Sequence, residues 1–221
     1  MDYNNGYGAM IPSDATGYDA PQLPQQNPAQ RQLSLVSADL YSYHRWPQAA
    51  GLPFNDFPVF LTPVGVAGQG YAIPLSELQT NIRVSGMLPG GVSWIIDALG
   101  VDLVPGNNPV DNVTFLRNTW VDFIRGQSRQ TLGPARFFPG GSGIAGVAST
   151  TLPMTDLREL SNGAPSYAAM RRLTVPIELP PQEQFSFEFR IRGHNAAALP
   201  LVADFVAGIR LVGRRTEATQ L

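Results

Sequence analysis

The residues whose types could do chemistry are few: two histidines, one glycine-rich run and some dispersed carboxylates. Gly141, Gly143 and Gly146 have the G-x-G-x-x-G spacing of a dinucleotide-binding turn. That turn works because a buried strand precedes it and a helix N-terminus follows, facing the pyrophosphate. Here Val147 to Pro153 is dominated by Val, Ser, Thr and Pro, which resist a helix, so a flexible loop is expected and no cofactor. Ser142 lies in the same run, but Ile144 stands where a nucleophile elbow needs glycine. His44 and His194 are far apart in sequence, without a nucleophile to activate, and with Asp39 and Asp204 they do not form a zinc-ligand spacing. Asp97, Asp102 and Asp122 are the candidates for the acid pair of a glycoside hydrolase; solvated or salt-bridged carboxylates are the simpler reading. The expectation is a protein that is not an enzyme, with no metal, cofactor or small-molecule substrate.

Arginine gives a different signal. The chain has fifteen cationic residues and every one is arginine, whose planar, weakly hydrated fork suits interfaces. Arg190, Arg192, Arg210 and Arg214 share the polar parity of the last two strand patterns, with Glu188, Asp204 and Glu217 interleaved, so pairing across strands or subunits is expected over contact with a polyanion. Val202, Val206 and Val212 are apolar on that same polar face, which predicts that something covers them. These residues, with Tyr3, Tyr7 and Tyr18, are the candidate inter-subunit contacts.

Strands carry most of these residues. From Gln184 to Arg192 each odd position is apolar and each even one polar, and the odd face resumes from Leu201 to Leu211, a period-2 code that predicts an antiparallel hairpin. Leu173, Val175, Ile177 and Leu179 repeat it before Pro180-Pro181. Leu33 to Trp46 reads as a strand on a partly buried edge, Phe57 to Val66 as one or two short strands, Gly91 to Val104 as a central strand and Val113 to Arg125 as another. Pro74 to Leu78 predicts a short helix capped by Ser76. Leu152 to Leu157 echoes Ile73 to Leu78, which two independent capped turns explain as well as a duplication does.

Eight to ten strands, 22 glycines and 20 prolines point to an all-β protein. The fold expected is a single jelly-roll-like antiparallel β-sandwich over 33–221, with one or two short helices and a long Gly-rich loop at 126–149. Residues 1–32 are different material: Asn, Gln, Gly, Pro and Tyr dominate, which predicts a flexible, extended N-terminal arm that is either disordered or ordered by a neighbour. The N-terminus lacks a basic region followed by an apolar one, so no secretory leader is expected, and no apolar run is long enough to span a bilayer. A net charge of −2 gives no global reason to expect nucleic-acid binding.

The polar arm, the mainly β body with long Gly/Pro loops, the sparse charge (14%) and the closing strands Gln184 to Arg192 and Phe205 to Glu217 together resemble a jelly-roll virion protein, with the capsid proteins of tailless icosahedral bacterial viruses nearest. The resemblance implies a capsid shell subunit in the virion, a homo-oligomer that contacts other virion proteins through its arm, loops and sandwich faces. Shell subunits of RNA viruses often carry a basic arm. Here Asp2, Asp14 and Asp19 outnumber Arg31, so protein contacts or proximity to an internal membrane fit better than genome packaging by charge. The alternative is a carbohydrate- or receptor-binding β-sandwich, in which Tyr41, Tyr43, Trp46 or Trp120 would stack on sugar rings.

Overall fold

The computed structural model describes residues 33–48, 55–104, 106–140, 170–192 and 201–218. Among these residues ten strands run in chain order: β1 (Leu33–Trp46), β2 (Phe57–Val59), β3 (Ala67–Gly68), β4 (Tyr71–Pro74), β5 (Val92–Leu103), β6 (Thr119–Arg125), β7 (Ser128–Pro134), β8 (Arg171–Leu179), β9 (Phe185–Ile191) and β10 (Phe205–Ala218). Eight of them form two antiparallel four-stranded sheets, ordered β1-β10-β5-β8 and β2-β9-β6-β7; β3 and β4 pair separately. Apart from the β6–β7 hairpin, strands distant in sequence lie side by side in the two sheets while successive strands cross between them, which is the arrangement of a jelly-roll sandwich.

The alternation produces this packing directly. Phe185, Phe187, Phe189 and Ile191 of β9 and Phe205, Ala207, Ile209 and Leu211 of β10 all enter one core. They do so from opposite sides. The hairpin expected between these strands is not formed: β10 lies between β1 and β5, and β9 between β2 and β6. Alternation specifies which face of a strand is buried, not which strand is its neighbour. Trp46 joins the two sheets, its ring 5.7 Å from Phe205, 5.9 Å from Phe189 and 5.6 Å from Phe115.

β5 is central, as its two-sided apolar pattern requires. Two other expectations fail. The helix is not at Pro74 to Leu78, which ends β4 and enters a turn where the Ser76 hydroxyl accepts from the Leu78 N–H. It is α1 (Pro109–Asn118), which takes up the first residues of the stretch read as a strand from Val113 to Arg125. Its start carries the expected signals: the Asn108 side chain accepts from the Val110 N–H at 2.9 Å, and proline occupies the first turn. The 126–149 excursion begins as structure, because β7 pairs with β6 and a short 3-10 turn (Ala135–Phe137) follows; residues 141–149 lie outside the described residues.

Asp111 of α1 is 1% exposed and accepts from the backbone N–H groups of Val202 and Ala203, at 3.0 and 3.1 Å. Burial raises its pKa, and those two bonds oppose the rise. Asn107 bonds both backbone groups of Val206 through its side-chain amide. The helix and its entry thereby anchor the chain as it enters β10.

Candidate assembly surfaces

The outer face of the first sheet carries a set of one-to-one pairs. Arg210 binds Asp39 across the β1–β10 ladder, Arg214 holds Asp97 at 3.0 and 3.1 Å, and Arg45 pairs with Asp204. The Gln48 N–H and then Arg45 hold the Asp204 carboxyl below its ordinary range. Asp97 is at the β-bulge where β5 shifts register against β10, so the extra residue brings its carboxylate to Arg214.

Tyr43, Gly208 and Asp102 occupy one row across β1, β10 and β5. The Tyr43 hydroxyl donates to Asp102 Oδ2 at 2.5 Å, which requires the ring to lie over the middle strand. Only glycine permits that, since a Cβ on Gly208 would collide with the ring carbons. Burial, then the Asp102 charge, raises the Tyr43 pKa, so the phenol stays protonated and donates.

The second sheet's outer face concentrates its charge at one carboxylate. Asp122 is fully buried, 2.8 Å from Arg190 and 3.2 Å from Arg129. Arg129 also meets Glu188 at 2.5 Å, and Arg190 donates to the Thr131 hydroxyl. Two acids and two arginines thus form a neutral cluster over β6, β7 and β9. At the end of β9 the Arg192 guanidinium lies 5.6 Å from the centre of the Trp120 ring.

The predicted contact residues therefore separate. Arg190, Arg210 and Arg214 are paired within the chain, and Arg192 rests on Trp120. Val202 is 41% exposed and Val206 half-buried. Val212 is only 9% exposed, because Met170 and Ala98 form a small apolar cluster with it, so its cover comes from its own chain. Tyr3, Tyr7 and Tyr18 lie outside the described residues, as does His194.

His44 is 4% exposed, stacked on Phe57 and edge-on to Trp46, with Nδ1 lacking a hydrogen-bond partner. Burial drives its pKa down to about 3; a backbone hydrogen bond involving Gln69 acts in the opposite direction. It is a core side chain. Asp97 and Asp102 face outward on the first sheet and Asp122 on the second, so the three carboxylates do not share a cleft. Among the described residues no group of three His, Cys, Asp or Glu could hold a metal ion, and no helix is long and apolar enough to cross a membrane. Trp46 is 2% exposed and belongs to the core, which removes it as a sugar platform.

The sequence patterns did not single out the excursion between β2 and β5. Leu61, Val66, Ile73, Leu78 and Val84 are 40, 48, 71, 83 and 37% exposed. The excursion is held against the edge of β1: the Tyr43 N–H donates to Gln79 O at 2.9 Å and the Arg45 N–H to Gln69 O at 2.8 Å. Gly70, at φ +80°, makes this close approach possible, because a Cβ there would overlap the Arg45 carbonyl. Its apolar residues follow no period and are interrupted by proline and glycine, so nothing in the pattern marks them as exposed. No protein family, no curated protein and no solved structure matches the chain.

Proposed function

We propose that this chain is a virion structural protein, a capsid shell subunit of a tailless icosahedral bacterial virus that assembles with copies of itself and with other virion proteins. The observation that carries this reading is the concentration of exposed large apolar side chains on one rigidly tethered excursion of a jelly roll, Leu61 to Val84. Exposed apolar surface gathered in one segment is characteristic of sites that other macromolecules cover. The arginines support protein contacts over nucleic acid, since Arg45, Arg129, Arg190, Arg210 and Arg214 are already matched to carboxylates. The work of such a subunit is geometric: two packed sheets hold the apolar excursion in a fixed place, so that each copy presents the same surface.

The test is the mass of the full chain in solution by light scattering, with electron micrographs of any large species. Capsomers or closed particles that dissociate when Leu78 and Ile73 are replaced by serine support the reading. A stable monomer indifferent to both substitutions sinks it.

A further inference from the structure

The tether between the excursion and β1 ends abruptly, and a pocket begins there. The Asn81 side chain supplies the last links, accepting from the Tyr41 N–H and donating to Asp39 O. Beyond Asn81 the chain diverges from β1 and leaves a pocket of about 350 Å³, in the size range of sites that hold a small ligand or a few side chains. Its walls include the buried Leu40, Ile82, Leu88 and Trp94, with Met87 at half burial. The Trp94 Nε1–H is buried without a partner. Two arginines, Arg83 and Arg215, line it; the one acid in the lining, Asp39, is committed to Arg210, and Arg83 also meets Glu77.

We propose that this pocket receives residues 14–23 of the N-terminal arm, with Tyr18 and Leu23 against its apolar walls and Asp14 and Asp19 toward Arg83 and Arg215. The proposal rests on reading residues 1–32 as a docking arm. Three observations select this occupant. The arm carries three acids against one arginine, opposite in sign to a lining that holds two arginines and one acid. Residues 14–23 hold two of those acids together with Tyr18 and Leu23, the densest combination of acid and apolar anchor in the arm. The arm also joins β1 at Leu33, five residues before Ala38 at the pocket wall. A segment from Tyr18 to Leu33 reaches roughly 50 Å when extended, enough for its own pocket or that of an adjacent copy.

The test uses the full chain with p-benzoylphenylalanine in place of Met87 and, separately, in place of Pro89, prepared as a mixture of 14N and 15N protein. After irradiation and digestion, crosslinks from the pocket to residues 14–23 are expected. Their yield should fall at least fivefold in Tyr18→Ala and Asp19→Asn chains, substitutions outside the sandwich. Crosslinks of mixed isotope composition support docking of a neighbour's arm. Crosslinks of single composition on a monomer support the pocket assignment while sinking the shell reading. Crosslinks confined to other residues, or a yield unchanged by the arm substitutions, overturn the assignment.

Discussion

The two outer faces of the sandwich solve the same problem in opposite ways. On the first sheet, Arg45, Arg210 and Arg214 each take one carboxylate, and these pairs remain partly in water, with Arg214 and Asp97 side chains 47 and 25% exposed. On the second, Asp122 is buried completely and must be matched by two arginines at once. Exposed pairs contribute little because water screens them, whereas a buried charge that loses its partners costs far more. The first face therefore tolerates replacement, while the second is a fixed structural element. Neither leaves a field of unmatched arginine among these pairs, which is why the apolar excursion, and not the cationic stripe, becomes the candidate contact surface.

The largest expected effect is at the buried carboxylate. Asp122→Ala leaves Arg190 without its carboxylate and Arg129 with Glu188 alone, and should lower the urea-unfolding free energy by about 3 kcal/mol. A loss below about 1 kcal/mol would place both faces in the same class. Next is the Tyr43 crossing. Gly208→Ala should cost about 2 kcal/mol by overpacking, and Tyr43→Ser should remove most of that penalty in the double variant; an additive cycle would mean that the ring does not depend on the glycine.

The acid response should come from the core. His44 has its pKa lowered by burial to about 3, against an ordinary 6.5. Between those values the unfolded chain binds the proton and the folded one does not, so stability present above pH 6.5 declines as pH falls, by up to about 1.4 kcal/mol per pH unit. His44→Phe should flatten that slope between pH 6.5 and 5 in denaturant titrations; an unchanged slope would assign it to other groups. The smallest effect is Asp97→Ala on the exposed face, about 0.5 kcal/mol or less, and smaller still in high salt.

Much of the fold was legible from strand patterns. β8, β9 and β10 could be placed from residues such as Phe185, Phe187 and Phe189, whose spacing requires one buried face, and β5 from an apolar run on both faces. Pairing was not legible: β9 and β10 carry the same code whether adjacent or opposed across the core. α1 was obscured by Val113, Phe115 and Leu116, which suit a strand, although Asn108 and Pro109 mark a helix start. β7 was hidden by Ser128, Arg129, Gln130 and Thr131, which show no apolar face because the strand lies at the edge of its sheet with those residues exposed. Of the candidate surfaces, salt bridging of the arginines was expected but its partners were not: Arg190, Arg210 and Arg214 take Asp122, Asp39 and Asp97 in place of the interleaved Glu188, Asp204 and Glu217, because the partner of each depends on register and on the bulge at Asp97. The apolar excursion had no signal, since exposure is a property of the tether to β1 and not of Leu78 or Ile73 alone.

Whether this sandwich assembles as proposed is read from the solution mass of the full chain across a concentration series, with micrographs of the largest species. Symmetric capsomers or closed shells, lost when Ile73 and Leu78 become serine while the unfolding curve stays unchanged, are predicted. A monomer at every concentration, unaffected by those substitutions, would contradict it.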